Sequence, residues 1–253
     1  MKSVSSNILN WKIFSNLPIN CGITNRNGGF SNGQYSSFNL ATHTGDNPDI
    51  VDKNRRLLCS LLNVDFDKYI YATQVHGSKI AKVNNDNYLN NFECDGFITN
   101  EAGLLLNIYV ADCVPIIIYD KENNVGAVLH CGWKGTFEKI IYNAVQILKK
   151  DYNSDSTNLL MGIGPSIGEC CYNVSEELYK NFNPLTGEGH VKNNKYYLNL
   201  KEINKNQAIS VGILEENIEI MDICTYCDNK NFYSHRKEGE PTGRFSLFFS
   251  ITS

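Results

Sequence analysis

The 253-residue chain has no excess of basic residues, because 23 Lys and Arg stand against 27 Asp and Glu, for a formal net charge of −4. Non-specific binding of nucleic acid needs a basic surface that neutralises several phosphates, and this balance argues against such a partner. Apolar residues make up 42% of the chain and charged residues 20%, which excludes disorder by composition. We therefore expect a folded protein that acts on a small molecule.

Long hydrophobic runs are also missing. The N-terminal segment lacks the apolar run of a secretory signal, and the most apolar region, Gly103 to Tyr119, is interrupted by Asn107 and Asp112. We expect a cytoplasmic protein with no membrane partner. The length is close to the upper limit for one hydrophobic core, so we predict a single domain over residues 1–253, as a monomer or homodimer.

Cysteine, by contrast, is abundant, with nine residues. In a reducing compartment these are core thiols, metal ligands or a nucleophile rather than a disulfide framework. Cys224-Thr225-Tyr226-Cys227 is a lone CxxC, and no second pair occurs at a comparable spacing. Because a structural zinc site needs such a second pair, we interpret these two cysteines as core packing.

Turn residues and the periodicity of apolar residues predict the secondary-structure elements. Asp46-Asn47-Pro48 offers a cap and a first-turn proline for a helix from about Pro48 to Leu62. Further helices are predicted from Thr136 to about Lys150, at Ser175 to Phe182 and at Leu200 to Ile213. Short apolar runs predict strands at 69–72, 79–83, 96–99, 104–110, 114–119, 125–130, 218–221 and 245–249. This order favours an α+β fold with mostly antiparallel or mixed sheets covered by helices.

The strands at 114–119 and 125–130 form a predicted hairpin that places possible metal-binding side chains opposite each other. If Tyr119 or Ile118 faces Val125, Cys113 lies opposite Cys131 or His130, and the sequence does not choose between them. Opposite residues have Cβ atoms about 4.5–5.5 Å apart, close enough to share a metal or a proton. His76, at the end of another strand, is a third candidate. Nitrogen, sulfur and nitrogen donors with a fourth position open are what a catalytic zinc ion requires.

Other segments offer places for an anion. Gly132-Trp133-Lys134-Gly135-Thr136 precedes a predicted helix, so its amides and Lys134 can face an anion there. Arg26, in a Gly/Asn-rich loop, and Arg244 are further candidates, because the chain has only five arginines and guanidinium binds oxyanions through two hydrogen bonds.

Together these segments resemble the YfiH-like family, known as laccase-domain or multicopper polyphenol oxidases and also described as zinc-dependent purine nucleoside phosphorylases. The resemblance spans nearly the whole chain. It rests on Arg26-Asn27-Gly28-Gly29, Ser37-Phe38-Asn39-Leu40, Gly45-Asp46, Asn54-Arg55, Gln74-Val75-His76-Gly77, Ala111-Asp112-Cys113-Val114-Pro115, His130-Cys131-Gly132-Trp133-Lys134-Gly135, Gly164-Pro165-Ser166-Ile167-Gly168, Cys170-Cys171-Tyr172, Cys224-Thr225, Phe232-Tyr233-Ser234, Arg236 and Gly243-Arg244.

The resemblance implies a layered α+β sandwich, similar to that of toxin deamidases, and a Zn²⁺ ion held by His76, Cys113 and His130. It also implies phosphorolysis of purine nucleosides such as adenosine, inosine and guanosine, with adenosine deamination as a side activity. Our hypothesis gives Asp112 a supporting or proton-transfer role. It assigns the binding of phosphate and substrate to Arg26, Asn39, Lys134 and Arg244. Cys131, usually Ala in the family, would add a thiol near the metal, and Lys134, usually Arg, keeps its charge but loses the two-pronged contact.

Three alternatives accompany this hypothesis. A multicopper oxidase needs on the order of ten imidazoles, many as His-x-His pairs, whereas this chain has five His and no such pair. A hydrolase with Cys113 as nucleophile and His130 as base, acting on a peptidoglycan precursor, is the main enzymatic alternative. A regulatory binding protein would keep the site but turn over no nucleoside.

Overall fold

A computed structural model of the chain describes residues 7–186 and 189–252. Within those residues it contains sixteen β-strands and six α-helices. The strands are β1 (Ile8–Leu9), β2 (Ile19–Thr24), β3 (Tyr69–Ile70), β4 (Ala72–Thr73), β5 (Ile80–Lys82), β6 (Phe92–Glu93), β7 (Gly96–Thr99), β8 (Leu105–Val110), β9 (Val114–Asp120), β10 (Val125–Cys131), β11 (Leu159–Ile163), β12 (Asn173–Val174), β13 (Gly189–Lys192), β14 (Lys195–Leu198), β15 (Ile218–Ile220) and β16 (Phe245–Ile251). The helices are α1 (Pro48–Leu62), α2 (Trp133–Phe137), α3 (Ile140–Tyr152), α4 (Glu176–Thr186), α5 (Leu200–Ser210) and α6 (His235–Glu238).

Two large mixed sheets form the centre of the fold. One has the strand order β1-β2-β16-β8-β3, and the other has the order β15-β11-β9-β10-β7-β5. Two small sheets, β12-β14-β13 and β4-β6, lie beside them. Most neighbouring strands are antiparallel, while β3 with β8, β5 with β7, β4 with β6 and β11 with β15 are parallel. The mixed α+β class predicted from the sequence is confirmed.

The alternation of side chains along the strands produces the layers. In β9 and β10, Ile117, Tyr119 and Val128 face the other large sheet, whereas their neighbours face α3 and α5. In β16, Phe249 faces the intersheet core, and its ring lies against Gly126 of β10, where a Cβ atom would come within 2.1 Å. Since the central strands are buried on both faces, they read as continuous apolar runs in the sequence.

Helices cover the two outer faces. On one side α1 packs Leu58 and Cys59 against residues of β8 and β16. Its limits agree with the prediction, and the side chain of Asn47 caps it by accepting a hydrogen bond from the amide of Asp49. None of the helices in the described part of the chain has the length and apolar character needed to cross a membrane.

The predicted register of the β9–β10 hairpin is wrong. Val125 pairs with Asp120 rather than with Tyr119 or Ile118, so His130 lies opposite Pro115 and Cys131 opposite Val114. The cause is the Asp120 carboxylate, which accepts hydrogen bonds from the amides of Glu122 and Asn123 and so shortens the turn. Cys113 therefore lies just beyond the hairpin ladder.

Candidate metal centre and substrate cavity

Three residues with metal-binding side chains meet where the two large sheets are joined. Cys113 lies in the short connection from β8 to β9, which passes from one sheet to the other; His130 lies near the end of β10, and His76 follows β4. The Cys113 sulfur and one ring nitrogen from each histidine lie within 4.8 Å of one another. The Gln74 side chain fixes the His76 loop to β8 through two hydrogen bonds with the backbone of Tyr109. The structure thus brings together all three residues that the sequence proposed as ligands.

Two residues beside the cluster, one in the connection at residues 111–113 and one in the loop after β4, have a strained backbone conformation. Asp112 has φ +91° and His76 has φ +58°, in the left-handed region that residues other than glycine seldom adopt. Gly132 faces the cluster, and a Cβ atom at that position would lie 3.2 Å from the Cys113 sulfur. Such strain persists only where the surrounding structure imposes it, and it is found mainly at functional sites.

Asp95, which the sequence analysis missed, orients both histidines. Its Oδ1 atom lies 2.8 Å from Nδ1 of His130 and accepts a hydrogen bond of 2.9 Å from the amide of His76. Its Oδ2 atom accepts hydrogen bonds from the amides of Gly77 and Val75, and the residue is fully buried. A carboxylate behind a histidine fixes which ring nitrogen faces a metal and increases its basicity.

The electrostatics of the cluster favour a thiolate. Burial raises the pKa of the Cys113 thiol, but the charges and hydrogen bonds of His130 and His76 outweigh burial and lower it to about 6. Burial also lowers the pKa of His130, but Cys113 and Asp95 raise it to about 9. The thiolate is the form of cysteine that binds a metal or acts as a nucleophile.

A cavity of about 290 Å³ opens above these residues. Its lining includes the three candidate ligands, and the other lining residues are His43, Gln74, Tyr109, Val110, Ala111, Asp112, Ile167, Tyr172, His235, Arg236, Glu240 and Arg244. The Nη1 atom of Arg244 donates to the carbonyls of Thr242 and Gly243, and the residue is partly exposed. Among the described residues, neither Nε nor Nη2 of Arg244 has a protein acceptor, so both can donate to a ligand.

Asp112 lies at the wall of this cavity and is held on both sides. Its Oδ1 atom accepts a hydrogen bond of 2.6 Å from the hydroxyl of Thr225, and its Oδ2 atom accepts one of 2.7 Å from the amide of Arg236. These contacts join the β8–β9 connection to the start of α6 and to the segment after β15. Asp112 is therefore fixed next to Cys113.

A family model described as "Multi-copper polyphenol oxidoreductase laccase" matches residues 20–252. The chain belongs to this laccase-like family.

Relatives in the laccase-like family bear names that state an activity. The chain is 32% identical over 241 residues to a protein of Geobacillus stearothermophilus named "Purine nucleoside phosphorylase YlmD", covering 90% of this chain and 88% of the relative. It is 29% identical to "Purine nucleoside phosphorylase YfiH" of Escherichia coli, covering 88% and 90% of the two chains. The crystal structure of YlmD from Geobacillus stearothermophilus superposes with a TM-score of 0.91 at 30% identity, over 96% of this chain and 94% of that chain. The predicted family and fold are confirmed.

Three residues that our hypothesis from the sequence assigned to phosphate or substrate do not line the cavity. Arg26 is engaged by Glu238 at 2.8 Å, by the carbonyls of Ser36 and Asn229, and by the ring of Tyr233. Asn39 is buried and accepts a hydrogen bond from the amide of Arg244. Lys134 lies on α2, half exposed, with Glu138 at 3.8 Å. Their contacts with substrate stay predictions.

Replacing Arg26 with alanine is expected to lower the free energy of unfolding by about 3 kcal/mol, because it removes the cationic partner of the largely buried Glu238 carboxylate and the donor to two carbonyls. Burial alone would raise the pKa of Glu238, but hydrogen bonds from Thr242, Arg26 and the Ser234 amide lower it. The stability gained is therefore present above the ordinary glutamate pKa and is lost as the pH falls through the lowered value.

Urea unfolding at pH 7 and pH 4 checks this expectation. Arg56→Ala is the matched control, because Arg56 pairs with Asp52 on the exposed surface of α1 and its loss is expected to cost less than about 1 kcal/mol. Equal stability of Arg26→Ala and the parent protein, together with a raised KM for phosphate, would instead assign Arg26 to substrate binding.

The structure overturns the interpretation of the CxxC cysteines as core packing. Cys227 is exposed, and the missing second pair is supplied by Cys170 and Cys171, which are adjacent in the sequence and therefore resemble no ligand spacing. Cys131 is close enough to Cys113 that burial, that thiolate and Asp95 together raise the Cys131 pKa, but its side chain is fully buried in the core between the sheet and α3. Among the described residues, two groups could hold a metal ion: His76, Cys113 and His130, and the four cysteines.

Proposed function

We propose that the chain is a zinc-dependent purine nucleoside phosphorylase of the cytoplasm. It cleaves adenosine-, inosine- or guanosine-type nucleosides with phosphate to the base and a pentose 1-phosphate, and deaminates adenosine as a side activity. The observation that carries the proposal is the convergence of His76, Cys113 and His130 in a cavity that Arg244 also lines. The names of the relatives at about 30% identity support the same reaction.

The donor set fits zinc. One thiolate and two imidazoles suit Zn²⁺, whereas Mg²⁺ and Ca²⁺ prefer oxygen ligands. The Asp95 carboxylate behind His130 supplies the orienting contact that zinc-binding histidines usually have. A multicopper centre is disfavoured because the chain has five histidines and two of them are among these ligands.

Residues of the chain bind the phosphate and transfer the proton. Bound zinc supplies a Lewis acid that polarises substrate and lowers the pKa of water. We assign the phosphate to the free nitrogens of Arg244 and a proton-transfer role to the Asp112 carboxylate, which Thr225 and the Arg236 amide hold in place. Holding phosphate and nucleoside together removes much of the entropic cost of a bimolecular step.

Arg244→Ala is expected to raise the KM for phosphate about 10- to 100-fold, because a charge-assisted contact to the anion is lost, while metal content stays unchanged. Arg244→Lys is expected to recover only part of this loss, because lysine cannot form the two-pronged contact. Steady-state kinetics with varied phosphate measure both. The same measurement on Lys134→Ala tests the sequence prediction for that residue. A larger rise in the KM for phosphate in Lys134→Ala than in Arg244→Ala would assign phosphate binding to Lys134 on α2.

A cysteine hydrolase is the second candidate, and Asp95 is the observation that favours it. Cys113, His130 and Asp95 follow one another in hydrogen-bonding order, which is the arrangement of a nucleophile, a base and an orienting carboxylate. The substrate would then be a peptidoglycan precursor. A metal-bound thiolate cannot attack, so metal at Cys113 in the active protein decides against this candidate.

The test is incubation of metal-quantified protein with inosine, adenosine and guanosine, with and without phosphate, followed by chromatography of the products. We expect release of the base to require phosphate and inosine to appear from adenosine without it. A protein that holds metal but converts none of these nucleosides would refute the proposal.

A further inference from the structure

Four cysteines from two distant segments meet on the surface beside the cavity. Cys170 and Cys171 lie between β11 and β12, and Cys224 and Cys227 lie between β15 and α6. All four sulfur atoms lie within 4.8 Å of one another. The Cys227 sulfur is 3.5 Å from that of Cys171 and 3.8 Å from that of Cys170.

These separations match a single tetrahedral metal ion. Four sulfurs placed about 2.3 Å from one zinc ion lie about 3.8 Å from each other. A disulfide needs about 2.05 Å, and all four cysteines are free. An iron–sulfur cluster places several irons and sulfides between its cysteines and therefore needs a wider spacing.

The backbone around the cluster donates to sulfur. The amide of Gly168 donates a hydrogen bond of 3.2 Å to the Cys224 sulfur, and the backbone of Cys227 makes a second hydrogen bond to the same atom. The segment closes as a turn through the Asp228 amide and the Cys224 carbonyl. Lys237 donates a hydrogen bond from its ammonium group to the carbonyl of Tyr226, inside the CxxC.

We propose that Cys170, Cys171, Cys224 and Cys227 bind one Zn²⁺ ion, in a structural site separate from the candidate centre at Cys113. Four protein ligands close the tetrahedron and leave no open position for substrate, which is the mark of a structural site.

The site joins the segment that lines the cavity with Ile167 and Tyr172 to the segment whose Thr225 holds Asp112. Thr225, between the two cysteines of the CxxC, donates from its amide to the carbonyl of Ser166 and from its hydroxyl to Asp112. On the other segment, the amide of Ile167 donates to the Asp112 carbonyl, and Ile167 lines the cavity. The second zinc ion thus fixes the surroundings of Asp112 without contacting substrate.

Metal analysis of the full chain, produced in zinc-supplemented medium and purified under reducing conditions, tests this proposal. We expect two zinc ions per chain in the parent protein and one in Cys227→Ser. Cys21→Ser, which changes a half-buried cysteine away from both groups, is the control and should keep two. Because the readout is the difference between the parent and Cys227→Ser, it does not depend on what the centre at Cys113 binds or catalyses.

A second measurement does not require Cys227→Ser to fold. Cobalt(II) in place of zinc should give the strong thiolate-to-metal charge-transfer absorption of a four-sulfur site in the parent protein and in Cys113→Ala. Zinc release on titration of the exposed thiols with a mercurial reagent should reach one ion before the second is affected. Equal zinc content in the parent and Cys227→Ser, a one-sulfur cobalt spectrum, or a disulfide among these cysteines in freshly prepared protein would each overturn the proposal.

Discussion

Cys113→Ala is expected to lose the metal held by His76 and His130 and, with it, nucleoside phosphorolysis. The thiolate is the one anionic donor of the three, and two neutral imidazoles alone bind zinc far less tightly. Since Lewis-acid stabilisation is worth several kcal/mol, we expect turnover to fall on the order of a thousandfold or more. Metal analysis and initial rates with inosine and phosphate measure the two effects on one preparation.

Cys131→Ala is the matched control for this experiment. Cys131 lies in the same segment as His130 but is buried in the core, so its loss should change stability slightly and leave metal and turnover intact. Full activity in Cys113→Ala would reject the site, and loss of activity with metal retained would point to Cys113 as a nucleophile instead.

Asp95→Asn is expected to have the second largest effect. One oxygen of Asp95 accepts from His130 and His76, and the other accepts from the amides of Gly77 and Val75. An asparagine must turn its NH₂ group towards donors on one of these sides, which disturbs either the histidines or the His76 loop. We expect zinc affinity to fall about 10- to 100-fold.

Asp120→Asn separates this effect from a general loss of stability. Asp120 is also fully buried and accepts hydrogen bonds from backbone amides, but it lies at the hairpin turn between β9 and β10. Both variants should unfold more easily, by about 1–3 kcal/mol, because a buried donor loses its acceptor. Competition with a zinc chelator should show weaker metal binding in Asp95→Asn alone; equal affinity in both variants would assign Asp95 a purely structural role.

The fold was largely predictable because its strongest signals are local. The cap at Asn47 and the apolar periodicity specify α1, and the buried runs specify β8, β9 and β10. The strand β2 was missed because Asn20 and Gly22 interrupt its pattern, although it pairs with β16 over five residues. The hairpin register was wrong because a single side chain, Asp120, determines the turn.

The site was predictable only in part, for a different reason. His76, Cys113 and His130 come together through contacts between elements that are distant in the sequence, and the family resemblance identified them. Asp95 gave no sequence signal, because its position beside His130 follows from the pairing of β7 with β10. The four-cysteine group was missed for the same reason, since Cys170 and Cys171 meet the CxxC only after folding.

Phosphorus NMR of inosine and phosphate with the zinc-loaded protein tests the central claim most directly. We predict that pentose 1-phosphate forms mole for mole with hypoxanthine in the parent protein, that chelation stops the reaction and zinc restores it, and that Cys113→Ala forms neither product. Release of free pentose without consumption of phosphate, or an unchanged rate in Cys113→Ala, would contradict phosphorolysis at this site.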